Sequence, residues 1–254
     1  MNVRRARLVA FAALLVAVGS CARPTDDDRA RFFATLPNWT GYWIADDGVE
    51  NALGVSGRTE HGAADFAKMK LAAPASYAPE WAAKVDAVRN DTSRELRKEC
   101  GFPFPFMMES PWVLQFLITP EETAVIVAGR EIRHIYTDGR AHPQPDDVWP
   151  TPWGDSVGKW NGHELSVDTI AVQASTFPPM LSERAHFTER IRMVSPDRIE
   201  DEITIEDPVA LTHTWKATIP YQRMAGLDRM VHGDCEENDR NPVVDGKLTI
   251  APAK

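Results

Sequence analysis

Cysteine and histidine are both scarce in this chain. Its 254 residues include three cysteines, which are too few for a small disulfide-rich scaffold. The seven histidines lack the paired spacing that zinc sites need, so no bound metal is expected. We expect no other cofactor either.

Basic residues are also fewer than acidic residues in this chain. Removing the three arginines of residues 1–21 from the 28 basic residues leaves 25 against 37 acidic residues, a net charge of −12. A surface of this sign repels nucleic-acid phosphates and anionic lipid headgroups. The composition therefore argues against nucleic acid and against an anionic membrane surface as partners, and no nucleic-acid binding is expected.

The chain has one long apolar run, from Leu8 to Val18, and that run is too short to cross a bilayer. Three arginines precede it and small residues follow it, as in a signal peptide for export. The four residues from Val18 to Cys21 resemble a lipobox, in which cleavage before Cys21 accompanies lipidation of that cysteine. Ordinary cleavage after Ala22 remains an alternative, because the residues at positions 20 and 22 are both small.

The expected organisation follows from this segment. Residues 1–21 are a signal peptide, residues 22–37 a polar tether, and residues 38–254 a single β-rich domain with a helical insertion at about 62–100. A lipidated protein would lie on the periplasmic face of the outer membrane and contact the membrane only through a lipid anchor on Cys21. Without the lipid it would be soluble in the periplasm or secreted.

Two cysteines, Cys100 and Cys235, remain after either cleavage. An exported protein folds in an oxidising compartment, where two cysteines most simply form a disulfide. The alternative is a pair of buried thiols that are not joined.

Turn signals and apolar alternation predict a mainly β domain. Beyond Phe106 the apolar residues repeat with period two, and Asn161-Gly162 separates two such runs as a tight hairpin turn. Short strands joined by tight turns indicate an antiparallel meander that forms a barrel or a deep sandwich, lipocalin-like by analogy. An N-terminal helical section precedes the strands and is best marked from Pro79 to Glu99.

Two carboxylates interrupt the apolar face of one predicted hairpin. A three-residue loop at 196–198 would place Ile191 opposite Ile203, with arginine–glutamate pairs on the outer face. In this register Glu189 and Asp201 fall among the apolar residues, where a carboxylate is costly unless it is paired or borders a cavity. If the register holds, the inner face of the barrel or sandwich contains a polar spot.

The segment Gly154–Gly158 matches the G-x-S-x-G motif of serine hydrolases. That motif requires a strained turn between a strand and a helix, which presents the serine to a histidine. Here a proline-rich loop precedes the motif and a hairpin strand follows it, so the context does not favour a nucleophile. We expect Ser156 to be a polar residue beside a pocket, or the two glycines to form a simple bend.

His186 is the best candidate for chemistry, because it begins a strand after a loop and should lie near a rim. With a carboxylate from Glu189 or Asp138 it can serve in general acid–base catalysis near neutral pH. The plainer interpretation is a hydrogen bond that holds a loop, and tryptophans on strands are more often core than site. The candidate ligand-binding residues are Arg140, His142, Ser156, Trp160, Asp168, Arg190 and Trp215.

Several short motifs follow one another in the second half of the chain. They are Asp138-Gly139-Arg140 with His142-Pro143, Gly154 to Trp160, Val167-Asp168-Thr169, His186 with Glu189-Arg190, Thr204 to Pro208, Trp215, and Cys235 to Asn238. As a set they resemble a large uncharacterised family of exported bacterial proteins from proteobacteria and acidobacteria. The resemblance covers about residues 100–240, and it implies an exported β-rich fold in which Cys100 pairs with Cys235. The chain departs from the family pattern at Asn161 and His163-Glu164, so that turn is not expected to be chemical.

Two functional hypotheses fit these observations. A barrel rich in tryptophan and phenylalanine would bind a small amphipathic or aromatic molecule, as a carrier does. Alternatively, the chain is a lyase, isomerase or hydrolase without a cofactor, in which His186 is the acid or base and Arg140 or Arg190 places an anionic group. A third alternative is a structural envelope protein without a small ligand.

Overall fold

A computed structural model shows the fold of most of the predicted β domain. It describes residues 25–45, 55–56, 70–71, 77–90, 103–108, 113–128, 132–174, 181–230, 243–244 and 247–248. The predicted signal peptide, much of the predicted helical insertion and all three cysteines lie outside these ranges. Lipidation of Cys21 and the disulfide between Cys100 and Cys235 therefore stay predictions.

The described ranges contain two α-helices, α1 (Asp26–Phe33) and α2 (Pro79–Asn90), and a 3-10 turn at Phe106–Met108. Neither helix in this part of the chain has the length and apolar character needed to cross a bilayer. In chain order, the strands are β1 (Trp43–Ala45), β2 (Val55–Ser56), β3 (Lys70–Leu71), β4 (Val113–Ile118), β5 (Glu122–Val127), β6 (Ile132–Tyr136), β7 (Asp155–Asn161), β8 (Glu164–Ile170), β9 (His186–Ser195), β10 (Arg198–Glu206), β11 (Trp215–Arg223), β12 (Val243–Val244) and β13 (Lys247–Leu248).

Nine of these strands close into a barrel in the order β1-β11-β10-β9-β8-β7-β6-β5-β4. The short strand β1 pairs with β11 on one side and with β4 on the other, and so closes the sheet. The predicted β-barrel is thus confirmed. The remaining described strands form two small hairpins, β2 with β3 and β12 with β13.

One junction of the barrel differs from the predicted antiparallel meander. Strands β6 and β7 run parallel, with Ile135 paired to Ser156 and Tyr136 to Val157. A parallel pair needs a long connection, because the chain must return to the same end of the sheet. The proline-rich segment 137–154 supplies that connection, and the barrel is therefore mixed.

Both described helices lie in the N-terminal part of the chain, and α2 falls within the predicted helical section. Helix α2 begins at Pro79, the residue expected in its first turn. Lys70 and Leu71, within the predicted helical insertion, form the strand β3 instead. Helix α1 lies in the segment predicted to be a tether.

Local hydrogen bonds explain where α1 begins. The Thr25 hydroxyl accepts a hydrogen bond from the Asp28 backbone N–H at 3.2 Å, and the Asp28 carboxylate accepts one from the Thr25 N–H at 3.2 Å. An ion pair of 2.6 Å joins Arg29 of this helix to Glu121, in the turn between β4 and β5. The helix is thereby held against one end of the barrel.

The hairpin of β9 and β10 has the predicted inner and outer faces but a different register. Ser195 pairs with Arg198, so the loop contains two residues rather than three. The register then shifts at a β-bulge, and Ile203 lies opposite Glu189 instead of Ile191. The shorter loop and the bulge together move the register by two residues, which keeps every side chain on its predicted face.

Aromatic side chains pack in two groups inside the barrel. In the first group, the Trp39 ring lies 5.4 Å from Phe116 and 5.2 Å from Trp160. In the second, Phe104 lies 5.0 Å from Phe187. The residues carrying these rings are all buried, so the described part of the interior is packed with side chains.

Candidate functional site

Arg133 of β6 and Glu189 of β9 form a buried ion pair inside the barrel. Neither side chain is exposed, and two hydrogen bonds of 2.9 and 2.5 Å join the guanidinium to the carboxylate. Strand alternation places them there, because Arg133 shares the inner face with Ile135, and Glu189 shares it with Ile191. The sequence-based prediction of a polar spot on the inner face is therefore confirmed.

Four further side chains surround the Arg133 guanidinium. Its Nη2 donates to Ser156 Oγ at 3.3 Å and to Thr169 Oγ1 at 3.1 Å, and its Nη1 donates to the Met108 sulfur at 3.2 Å. The guanidinium carbon lies 3.9 Å from the centre of the Phe104 ring. Ser156 therefore accepts a hydrogen bond from a buried arginine, which is a structural role.

Asp201 of β10 lies on the same inner face and is completely buried. Neither of its carboxylate oxygens accepts a hydrogen bond from a donor in the described part of the chain. Burial, and then the negative charge of Glu189, raise the pKa of the Asp201 carboxyl well above its usual range. The raised pKa favours the protonated form of Asp201, in which its hydroxyl can donate to the Glu189 carboxylate.

A second polar group lies on the outer face of the barrel and comes from four segments. His142 Nδ1 is 2.5 Å from Asp155 Oδ1, and His142 Nε2 is 2.9 Å from Asp168 Oδ1. The other oxygen of Asp168 is 2.8 Å from His186 Nε2. We call His142, Asp155, Asp168 and His186 the outer His–Asp cluster. It joins the proline-rich segment to β7, β8 and β9.

The outer His–Asp cluster is suited to moving protons. Asp168 bridges two imidazole rings, and both nitrogens of His142 face carboxylates. His186 is the more accessible histidine, with 39% of its side chain exposed against 19% for His142. Its second nitrogen lies 3.7 Å from Glu206, an exposed carboxylate of β10. His186 is therefore the histidine of the cluster that is more open to proton exchange with its surroundings.

A groove of about 1360 Å³ adjoins this cluster. Most side chains along it belong to the outer face of β7 to β11. Residues of this face, such as Thr188 and Lys216, are exposed, whereas their neighbours along the strand are buried or half-buried. Phe32 of α1 and residues 137–140 also line it. Asp168 belongs both to the groove lining and to the outer His–Asp cluster, so a molecule in the groove would contact the cluster at this carboxylate.

The structure brings together three of the predicted site residues, His142, Asp168 and His186. Glu189 was expected to orient His186, but it lies inside the barrel and pairs with Arg133. Asp138 was the other expected carboxylate, and it pairs with Arg140 at 2.7 Å beside the groove. Neither carboxylate is recorded as a hydrogen-bond partner of His186.

The other predicted site residues lie at separate places. Arg190 pairs with Glu164 at 2.8 Å on the outer face. Trp160 is buried in the first aromatic group and also forms part of the floor of the groove. Trp215 lies 6.4 Å from Phe106. The two tryptophans thus pack in the barrel, in agreement with the interpretation that tryptophans on strands are more often core residues than site residues.

Arg133 is the charged residue of the interior site that the sequence reasoning missed. The signal was present, because two carboxylates on an apolar face require a buried cation. Arg133 has the same phase as Ile135 along its strand, which places it on the inner face. What pattern alone does not reveal is that the Arg133 side chain extends past β7 and β8 to reach Glu189 of β9.

No group of three or more histidine, cysteine, aspartate or glutamate side chains within the described residues is arranged to bind a metal ion. Comparison with known proteins adds no functional assignment, since neither the protein-family models nor the curated proteins provide a match.

Proposed function

We propose that this chain is an exported protein that binds a small molecule in the groove on its outer face. The supporting observation is the position of Asp168, which lines the groove and hydrogen-bonds both histidines of the outer His–Asp cluster. A concave surface with a few convergent polar groups is typical of ligand sites. A barrel of this kind is compatible with an interior, lipocalin-like pocket, but the packed aromatic interior favours the groove.

Blocking the groove tests this proposal. Thr204 is a groove residue of β10, and Thr204→Trp would fill part of the groove without changing charge. Ser195→Trp is the control, because Ser195 is exposed on the neighbouring strand and does not line the groove. Native mass spectrometry of gently purified protein should show a bound molecule with the native chain and the control, and lose it with Thr204→Trp. Equal retention by both variants would contradict the groove as the site.

The second candidate function is an enzyme that needs no cofactor. It is favoured by His186, which is partly exposed and held by Asp168 at 2.8 Å. In this function His186 would transfer a proton to or from the bound molecule, and Asp168 would orient its ring. Lyase, isomerase and hydrolase reactions on small molecules all use such a step.

His186→Ala separates the enzyme from the carrier. The molecule recovered from the groove would be incubated with the native chain, with His186→Ala and with His213→Ala, an exposed histidine outside the cluster. An enzyme would yield a product of different mass or structure, and the His186→Ala variant would lose at least about a hundredfold in rate. A carrier would leave the molecule unchanged in all three samples.

Export and anchoring form a separate part of the proposal. Residues 1–21 support it, and so does the family resemblance of residues 100–240. The mass of the mature chain distinguishes the two predicted cleavages, because a lipid adds to a chain that begins at Cys21. Cys21→Ser should release the protein from the membrane fraction if the lipid is its anchor. An unchanged distribution would favour ordinary cleavage.

A further inference from the structure

Charges along the groove are not all balanced. Arg140 pairs with Asp138 at 2.7 Å, and Arg190 pairs with Glu164 at 2.8 Å. Lys159 and Lys216 also line the groove, yet neither forms an ion pair within the described residues. In a chain of net charge −9, the groove therefore contains two cations that pair with no carboxylate of the described residues. The groove carboxylates Asp168 and Glu202 contact other partners, the cluster histidines and Arg192.

Strand register places these lysines at opposite sides of the groove. Across the sheet, Lys216 of β11 pairs with Thr204 of β10, and Thr204 pairs with Thr188 of β9. Thr188 in turn pairs with Asp168 of β8. Lys159 lies one strand further, on β7, paired to Ser166 of β8. The two lysines are thus four strand spacings apart, which corresponds to about 19 Å along the sheet.

Four hydroxyl side chains lie on the sheet between the two lysines, together with Asp168, Arg190 and Glu202. The four hydroxyl residues are Thr188 and Thr204, in the row that runs from Lys216 to Asp168, and Thr218 and Ser166, which flank Glu202 and Arg190 in the row that ends at Lys159. Their side chains point outward into the groove and form no hydrogen bond to another described side chain. They are therefore available as donors and acceptors for a bound molecule.

We infer that the groove binds a polyhydroxylated anion of the sugar-acid or sugar-phosphate class. The unpaired lysines would bind its acidic groups, and the four hydroxyl residues would hydrogen-bond its hydroxyl groups. Since the lysines are about 19 Å apart along the sheet, a single-ring sugar phosphate would contact one of them and an oligomeric sugar acid could contact both. This inference rests on the proposed function, because it names the ligand of the same groove.

Matched sugars test the ligand class by isothermal titration calorimetry. Trigalacturonate is compared with the neutral trisaccharide maltotriose, and glucose 6-phosphate with glucose. We expect the acidic member of at least one pair to bind at least about tenfold more tightly than its neutral counterpart. Preference for trigalacturonate would indicate a sugar acid, and preference for glucose 6-phosphate would indicate a sugar phosphate. Equal binding or no binding by both pairs would overturn the inference.

Two charge-matched double variants show whether the lysines are responsible. Lys159→Gln with Lys216→Gln should weaken binding of the acidic sugar by roughly three- to thirtyfold, since each exposed ion pair contributes modestly. Lys84→Gln with Arg229→Gln removes the same charge at exposed positions outside the groove and should leave the affinity unchanged. Equal weakening by both would mean that net charge alone is responsible, and this too would overturn the inference.

The outcome for Thr204→Trp separates this inference from the proposed function. If no acidic sugar binds but Thr204→Trp still removes the molecule seen by native mass spectrometry, the groove is a site for another class of ligand. The inference then fails and the proposed function stands. If Thr204→Trp removes nothing, the proposed function fails as well.

Discussion

Asp201 is the residue at which burial and charge conflict most directly. It is completely buried, no described donor reaches its oxygens, and the nearby cation Arg133 is already bound by Glu189 in two hydrogen bonds. Two carboxylates and one guanidinium would leave a net negative charge in the barrel, which protonation of Asp201 removes. The interior is then electrically neutral.

The raised pKa of Asp201 predicts a specific pH dependence of stability. The folded chain holds this proton at pH values where the unfolded chain, with a pKa of about 3.9, has lost it. The contribution of Asp201 to stability is therefore complete below the unfolded pKa and is lost as the pH rises towards the folded pKa. Asp201→Asn mimics the protonated side chain and should abolish this loss.

Denaturant unfolding of the native chain and of Asp201→Asn between pH 4 and pH 8 measures the effect. The variant should become more stable relative to the native chain as the pH rises, by up to about 1.4 kcal/mol per pH unit. Asp197→Asn, at an exposed position in the β9–β10 loop, is the control and should show no such trend. A constant difference across the range would show that Asp201 is ionised in the folded chain.

The ion pair of Arg133 and Glu189 should be costly to break and less costly to replace. Arg133→Met leaves Glu189 and Asp201 without a cation, and Glu189→Gln leaves the guanidinium without its carboxylate. Each single variant should lose about 3–5 kcal/mol of unfolding free energy. The double variant Arg133→Met with Glu189→Met should lose less than the sum of the two single changes. A double loss equal to that sum would mean that the two residues contribute independently.

At the scale of elements, the turns matter more than the strands for where the site residues lie. Strand alternation correctly put Glu189 and Asp201 inside, but the two-residue loop and the bulge of β9 decide which residues face each other. The segment 137–154 has a similar effect, because its return makes β7 parallel to β6 and carries His142 to Asp155 and Asp168. Both features depend on backbone geometry that apolar periodicity does not encode.

The first glycine of the G-x-S-x-G segment and the glycine of the Asn161-Gly162 turn give a prediction at the same scale. Gly154 and Gly162 both have positive φ, of 68° and 62°. A Cβ at Gly154 would lie 2.4 Å from the Ile170 carbonyl oxygen, whereas a Cβ at Gly162 would meet nothing within 4 Å. Both alanine variants should lose about 1–2 kcal/mol from the left-handed backbone. Gly154→Ala should lose a further 1–3 kcal/mol, roughly the cost of overpacking.

Thermal or denaturant unfolding of the two alanine variants makes this comparison. Equal losses would show that the backbone at Gly154 moves to accommodate the methyl group. A larger loss for Gly154→Ala would show that the first glycine of the motif is needed where β7 and β8 approach closely. The glycine would then have a structural reason that does not involve catalysis by Ser156.

For the whole molecule, barrel closure depends on the three-residue strand β1. Trp43 of this strand is fully buried and pairs with Leu114 of β4 on one side and Arg223 of β11 on the other. A closed barrel leaves no exposed sheet edge, which protects a β-rich chain against edge-to-edge association. The outer face is then free to carry the groove and the outer His–Asp cluster.

The disulfide between Cys100 and Cys235 is the prediction that concerns the whole chain. These residues are 135 positions apart in the sequence, and a crosslink over such a loop stabilises by roughly 4–5 kcal/mol in the chain-entropy model. Peptide mapping without reductant should recover the two cysteines in one linked pair, and reduction should lower the melting temperature. Recovery of two free thiols would contradict the prediction.

Most residues of the outer His–Asp cluster can be predicted one by one from the sequence, but their arrangement cannot. His142, Asp168 and His186 were all identified from the sequence as polar residues at or near strands, and the structure brings them within hydrogen-bond distance. The error concerned partners: the sequence-based hypothesis paired His186 with Asp138 or with Glu189, and Glu189 lies three positions along the same strand. Residues an odd number apart on a strand point to opposite faces, so Glu189 cannot share the outer face with His186.

The sequence by itself determined the mainly β class and which carboxylates lie on the inner face. It also limited the sheet to two architectures, a barrel or a deep sandwich. These properties follow from turn residues and from period-two alternation, which act over a few neighbouring positions. Only the tertiary structure decided that Arg133 meets Glu189 and that Asp168 joins two histidines beside a groove. Those contacts join residues 18 to 56 positions apart. Their formation depends on strand order, register and barrel closure, which are properties of the whole sheet.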